Sequence, residues 1–203
     1  MLYRGADDKK IFHVHIPRNA GRYVRQIFIE NSFDYYHGEY KLLVYGIETP
    51  HLHYPLYLNL ELVEESEHFV VVRNPFDRFK SSMQIIIRAR HYPEEIYEKI
   101  QDKDWLFNFL DMEKMVGSYK TNFYRDQKDF ISEKTKIWKL ENGLNLEFVQ
   151  WLNNNLNLSL KISNEIKYDL MDAELVPIKQ KINPIVEDYI KEYYAEDYEF
   201  FNY

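Results

Sequence analysis

The stretch HFVVVRNPFDRFKSS, residues 68–82, decides the expected fold of this chain. Its first part, residues 68–72, is apolar at successive positions, which is typical of a strand buried on both faces of a parallel sheet. Residues 73–75 have loop composition, and residues 77–90 carry the periodicity of a helix. We expect Asp77 to cap that helix, because a carboxylate can accept from backbone N–H groups of the first turn. The segment therefore predicts a strand, a loop and a helix in succession.

A second unit of the same kind lies nearer the amino terminus. IFHVHI, residues 11–16, is a short β-branched and apolar run, a turn-like PRNAG follows, and a helical apolar stripe begins at Tyr23. A loop between a strand and the start of a helix offers unpaired backbone N–H groups and a positive dipole to phosphate or sulfate. Gly21 would let the backbone approach such an anion, and Arg18 and Arg22 would supply positive charge.

The rest of the chain is predicted to alternate short strands with helices. Strands are expected at residues 35–36, 42–45 and 136–140, a helical segment at 56–65, and helices at 94–101, 104–116, 146–154 and 184–194. This alternation predicts an α/β fold with a parallel sheet flanked by helices and a helical C-terminal half. Neither a repeat nor a Gly/Ser linker marks a boundary, so we expect a single domain over residues 1–203.

Composition narrows the classes of function. The chain has no cysteine, which excludes disulfides, zinc-thiolate sites and a cysteine nucleophile. Its formal net charge of −7 argues against a general nucleic-acid binder. Eight of the nine arginines nevertheless lie within residues 1–90. Because the guanidinium suits forked recognition of phosphate or sulfate, this clustering points to an anion site in the N-terminal half.

The apolar runs bear on localisation. No run reaches the 18 or so residues of a membrane span, and the polar start MLYRGADDKK lacks the features of a signal peptide. We therefore expect no membrane partner and a cytoplasmic location.

The loop after residue 72 contains the more informative anion signal. Arg73 ends the predicted buried strand, and Ser81 lies one turn into the following helix. A bend at Pro75 can direct the guanidinium and the hydroxyl to one phosphate. Arg78 either serves the same anion or pairs with a carboxylate such as Asp77.

Together the two segments resemble the donor-binding segments of sulfotransferases that use 3'-phosphoadenosine 5'-phosphosulfate (PAPS). Residues 16–24 are similar to the family's loop, commonly PKTGGTS, which binds the 5'-phosphosulfate. Residues 70–82 resemble the motif RxPxxRxxS, which binds the 3'-phosphate, and Arg73, Pro75, Asp77, Arg78 and Ser81 are in register with it. KLENGL at 139–144 and AEDYEFFNY at 195–203 resemble two later segments of the family.

This resemblance implies a P-loop-type three-layer α/β fold. It also implies transfer of a sulfuryl group from PAPS to a hydroxyl or amine, with PAP (3'-phosphoadenosine 5'-phosphate) as the product and without a metal. The acceptor would be a carbohydrate or a small metabolite. The implied donor contacts are Arg18, Asn19, Ala20, Gly21, Arg22, Tyr23, Arg73 and Ser81, with Arg125 as a further contact.

One departure from the family's pattern leaves alternatives open. The family's loop lysine corresponds to Arg18, which can stabilise a leaving group electrostatically but cannot donate a proton at neutral pH. A catalytically impaired PAP-binding protein of the same fold is therefore one alternative. A P-loop kinase is another, but it would carry GK[ST] where this chain has Gly21-Arg22-Tyr23, without the hydroxyl that binds Mg²⁺.

A candidate general base lies in PHLHYP, residues 50–55. The segment is similar to one in polysaccharide 2-O-sulfotransferases in which a histidine is the base, and the second histidine matches best. The resemblance therefore implies His53 as the base, with His51 as the other candidate and Glu39 in reserve. A metal pair and a histidine that only packs are the alternatives.

Overall fold

The computed structural model describes residues 1–39, 42–44, 46–89, 95–115, 122–161 and 182–203. Its strands are β1 (Leu2–Arg4), β2 (Lys10–Val14), β3 (Asp34–Tyr36), β4 (Leu43–Val44), β5 (Ile47–Glu48), β6 (Glu67–Val72) and β7 (Lys136–Lys139). Its helices are α1 (Gly21–Glu30), α2 (Pro75–Ala89), α3 (Ile96–Lys99), α4 (Lys103–Met115), α5 (Leu146–Leu156), α6 (Pro184–Tyr193) and α7 (Ala195–Phe201).

Five strands form a mostly parallel sheet in the order β3-β1-β2-β6-β7. β2, β6 and β7 pair in parallel, whereas β1 is antiparallel to both β2 and β3, so that four of the five strands run in one direction. β4 and β5 pair separately as a short antiparallel hairpin. The predicted α/β class is confirmed at this level.

Side chains cover both faces of the sheet, because alternate strand residues point to opposite sides. On one face Ile11 and Phe69 pack with the apolar stripe of α1 and with α5. On the other face Phe12 and Val70 pack with residues 47–63 and with Phe201 of α7. A third cluster joins α2, α4 and α6 beyond the sheet.

Both predicted units are present, as β2 followed by α1 and β6 followed by α2. The prediction that Asp77 caps α2 is wrong. Asn74 does so, since its Oδ1 accepts from the backbone N–H groups of Phe76 at 3.0 Å and Asp77 at 3.3 Å. Asp77 lies in the first turn and pairs with Lys80 at 2.6 Å.

Other predictions are corrected in detail. The helical segment expected at 56–65 is reduced to one 3₁₀ turn, Leu56–Asn59. β1 has no counterpart among the predictions, because the polar start of the chain conceals three strand residues. Positions 45, 90, 94 and 116, at the ends of predicted elements, lie outside the described residues.

The sheet order creates a crevice between β2 and β6. The chain leaves β2 toward β3 at one edge of the sheet and leaves β6 toward β7 at the other edge. Since β2 and β6 are parallel, the loops that follow them emerge side by side. Ligands of open α/β sheets bind at such a point, where the connections diverge.

Candidate anion-binding site

A cavity of about 420 Å³ opens beside the loops that follow β2 and β6. This volume falls within the range of small-molecule sites. Arg18, Arg22 and Arg73 line it, as do Ser81, His15 and His51. None of the described residues that line the cavity is acidic, so its charge favours an anionic ligand.

Arg18 joins the two predicted anion segments. Its Nε donates to Ser81 Oγ over 2.9 Å, and Nη1 of Arg73 donates to the Arg18 carbonyl oxygen at 3.4 Å. The Ser81 hydroxyl accepts from Arg18, so its own proton can be donated to another acceptor. The three side chains therefore present positive charge and a hydroxyl donor at one place.

The loop before α1 has an unusual backbone. Arg18 and Ala20 adopt positive φ values of 72° and 61°, a region that non-glycine residues occupy at a cost of about 1 kcal/mol or more each. Asn19 between them is 1% exposed and holds the loop in place, because its Nδ2 donates to the Val71 carbonyl at 2.9 Å. Asn19 therefore fixes the loop to strand β6.

The start of α1 is suited to an anion. Ala20 occupies the N-cap position, and its side chain makes no capping hydrogen bond. That turn also contains no acidic residue. The first backbone N–H groups of a helix lack partners within it, and together with the helix dipole they favour a bound anion.

Gly21 is required by a neighbouring side chain. A Cβ atom at this position would lie 2.1 Å from Nε2 of His15, which is 6% exposed beneath the loop. The sequence predicted only that Gly21 lets a ligand approach. The structure adds that position 21 admits no side chain while the His15 ring remains in place.

Gln127 connects both loops and was not recognised from the sequence. Its Oε1 accepts from Asn19 Nδ2 at 2.7 Å and from the Arg73 backbone N–H at 3.1 Å, while its Nε2 donates to the Arg73 carbonyl at 2.8 Å. Asp197 of α7 accepts from the backbone N–H groups of Gln127 and Lys128 at 2.8 and 2.9 Å. The C-terminal helix thus helps to position the cavity wall.

Arg78 is a structural residue. It is 2% exposed, and its guanidinium donates to the carbonyl oxygens of Pro17, Arg125 and Asn122 at 3.2, 2.8 and 3.2 Å. Burial lowers the pKa of this guanidinium. The expected pair with Asp77 is not among these hydrogen bonds, and Arg78 does not line the cavity.

Three predicted donor contacts do not line the cavity. Asn19 is buried beneath the loop, and Tyr23 Oη donates to the Leu144 carbonyl at 2.6 Å. Arg125 pairs with Asp129 at 3.2 Å. Leu140, from the segment 139–144, does line it, so this third resembling segment also reaches the site.

The two candidate bases are separated by the fold. His51 lines the cavity, whereas His53 does not, although only Leu52 lies between them. Burial lowers the pKa of both, to about 4 for His53, where Arg125 adds to the effect. Glu39 is exposed and does not line the cavity either.

No family model, curated protein or solved structure matches this chain. The described residues include no group of three or more His, Asp or Glu side chains placed to hold a metal ion. None of the helices within those residues is both long enough and apolar enough to cross a membrane.

The residues that line the cavity can bind an anion. Three arginines supply positive charge, the Ser81 hydroxyl and the start of α1 supply hydrogen-bond donors, and the imidazole of His51 lies beside them as a proton acceptor.

Proposed function

We propose that this chain is a PAPS-dependent sulfotransferase with a P-loop-type three-layer fold. The hydrogen bond from Arg18 to Ser81 is the observation that carries the proposal. It brings two segments, each resembling a donor-binding motif, to one cavity that has positive charge. A donor with an anionic group at each end fits two anion loops better than a ligand with a single phosphate does.

The donor would span the crevice. Its 5'-phosphosulfate would lie on residues 17–23, against the start of α1, and its 3'-phosphate on Arg73 and Ser81. Arg73 offers a fork of N–H donors, and Ser81 offers a hydroxyl proton that Arg18 leaves free.

Transfer would proceed in line. A base takes the proton of the acceptor hydroxyl, the hydroxyl oxygen forms a bond to sulfur, and the bond from sulfur to the bridging oxygen breaks. The electron pair of that bond stays on the 5'-phosphate of PAP. Arg18 and the N–H groups at the start of α1 stabilise this charge electrostatically. The acceptor is a carbohydrate or a small metabolite.

A non-catalytic PAP-binding protein is the second candidate function. Arg18 favours it, because the guanidinium keeps its proton at neutral pH and cannot protonate a leaving group. Donor binding is common to both candidates, whereas transfer separates them.

Calorimetry with PAP and with adenosine 5'-monophosphate tests the shared claim. We expect PAP to bind at micromolar concentration and more tightly than the monophosphate, which lacks the 3'-phosphate. Equal binding of the two, or no binding, would overturn the donor assignment. If PAP binds, transfer from PAPS to a panel of saccharide and small hydroxyl acceptors is measured by mass spectrometry, and consistent failure favours the non-catalytic function.

A further inference from the structure

The hairpin of β4 and β5 places a carboxylate beside His51, one of the two histidines that line the cavity. Glu48 is the last residue of β5, and a 3₁₀ turn, Thr49–His51, follows at once. Oε2 of Glu48 lies 3.1 Å from Nδ1 of His51, and the two side chains are 20% and 6% exposed. The two atoms are close enough for an ion pair in a site largely shielded from water, although Nδ1 does not complete a hydrogen bond to the carboxylate in this conformation.

The groups around His51 keep its imidazole neutral at neutral pH. Burial lowers its pKa, and Arg78 on α2 acts in the same direction, whereas Glu48 opposes them. The ring of His15, whose pKa is itself lowered by burial, lies 5.1 Å from the His51 ring between centroids. A neutral imidazole is the form that accepts a proton, so His51 is in the state required of a base.

His53 is constrained differently by Asn122. Asn122 Oδ1 accepts from Arg125 Nε at 3.2 Å, and Asn122 Nδ2 donates to the His51 carbonyl at 2.8 Å. A guanidinium can only donate and a carbonyl oxygen can only accept, so these two bonds fix which end of the Asn122 amide is oxygen and which is nitrogen. The Nδ2 group must therefore be the donor toward His53 Nδ1, 3.2 Å away. The neutral His53 ring therefore holds its proton on Nε2 and has its remaining lone pair occupied.

We propose that Glu48 is a positioning residue that holds a proton on Nδ1 of His51, so that Nε2 of His51 takes the proton of the acceptor. This inference rests on the proposed function. The acceptor proton moves to Nε2, and the resulting imidazolium is stabilised by the Glu48 carboxylate. After the sulfated product has left, the proton passes from Nε2 to water.

Nitrogen-15 NMR of the histidine side chains, assigned with a His51→Asn sample, tests the pair without depending on activity. In the wild-type protein at neutral pH we expect the His51 proton on Nδ1. Glu48→Gln should keep that tautomer, since the amide oxygen still accepts, but should lower the pKa of His51 because the charge is lost. In Glu48→Ala, His51 should lose both the preference for a proton on Nδ1 and the increase in pKa that the carboxylate charge provides. Glu61→Gln, a change to an exposed carboxylate on the same side of the sheet, is the matched control.

The same variants give a kinetic readout if transfer is observed. Glu48→Gln should lower kcat about 10- to 100-fold, with the KM for PAPS within about twofold of wild type, as expected for loss of a group that orients a reacting histidine. The acid limb of the profile of kcat against pH should move to lower pH.

The outcomes separate this inference from the proposed function. A wild-type His51 with its proton on Nε2, or a His51 pKa unaltered by Glu48→Gln, overturns the role of Glu48, and the wild-type tautomer is informative even if a variant does not fold. A proton on Nδ1 in a protein that fails to bind PAP supports the Glu48–His51 pair but overturns the sulfotransferase proposal.

Discussion

Arg18 Nε and Ser81 Oγ lie 2.9 Å apart, although 63 residues separate them in the chain. Arg18 belongs to the loop after β2 and Ser81 to α2, so this contact joins the two anion segments. An anion that binds between them gains donors from both loops at once. Because folding has already placed these donors, little free energy is lost in ordering them when the ligand binds.

Removal of an anion contact should weaken PAP binding. We expect Arg73→Ala to reduce the affinity about 30-fold, because a charged forked donor is lost, and Ser81→Ala about fivefold, because a neutral hydroxyl is lost. Calorimetry at fixed ionic strength measures both.

Arg4→Ala is the control for that experiment. Arg4 is exposed and pairs with Asp8, and it does not line the cavity, so its removal takes away the same charge at a distance. If the Arg73→Ala protein binds PAP as tightly as the Arg4→Ala protein does, Arg73 does not contact the ligand.

A methyl group at position 21 should strain the site. Gly21→Ala would bring a Cβ within 2.1 Å of His15 Nε2, so we expect a loss of about 1–3 kcal/mol in the free energy of unfolding. In the double variant Gly21→Ala/His15→Ala the clash is absent, and the loss should be smaller than the sum of the two single losses. Urea denaturation measures the cycle, and strict additivity would contradict the packing argument.

Loss of the Gln127 side chain should affect both stability and ligand binding. Gln127→Ala removes one of the two hydrogen bonds of the buried Asn19 amide and takes away the partner of the Arg73 backbone N–H and carbonyl, at a cost of about 3 kcal/mol in the free energy of unfolding. PAP affinity should fall as well, because both loops are released. Gln26→Ala, on the exposed surface of α1, is the control and should change neither quantity appreciably.

Loss of Arg78 should destabilise the fold. Arg78→Met removes the donors of three backbone carbonyl oxygens in a buried site, so we expect a loss of about 3 kcal/mol or more in the free energy of unfolding. Arg78→Lys keeps the charge but cannot reach all three oxygens in one plane, so it should restore only part of the loss. A fully stable Arg78→Met protein would mean that these hydrogen bonds contribute nothing net.

Buried histidines should make the fold sensitive to acid. Burial lowers the pKa of His13 well below its usual 6.5, so the folded state binds fewer protons than the unfolded state below about pH 6.5. The free energy of unfolding is therefore highest above about pH 6.5 as far as His13 is concerned, and it falls as the pH drops below that value.

The variant His13→Phe tests this pH dependence. It keeps a ring stacked on Phe69 and removes the titration, so its free energy of unfolding should fall less steeply between pH 6.5 and 5. Above pH 8 the free energy of unfolding should change with pH equally in the two proteins, and this comparison is the internal control. Identical slopes in the acid range would contradict the lowered pKa.

The sequence by itself determined the two strand-loop-helix units and the chemical types of residue at the site. Successive apolar residues predicted β6, and helical periodicity predicted α1 and α2, because these patterns reflect burial within one short segment. Arg18, Arg73 and Ser81 could also be identified, because each motif is a short segment whose residues lie at fixed spacing after a predicted strand. Local patterns also explain a failure, as the polar start of the chain concealed β1.

Only the tertiary structure decided which of these residues meet. His51 and His53 are almost adjacent in the chain, yet one lines the cavity and the other is held by Asn122. Gln127 and Glu48 carry no sequence signal, and Arg78 was singled out for a different role. Their roles depend on hydrogen bonds to segments far along the chain or, for Glu48, on the 3₁₀ turn that follows β5. Burial and partner choice are properties of the packed chain, so the histidine proposed as the base and the supports of the loops became visible only there.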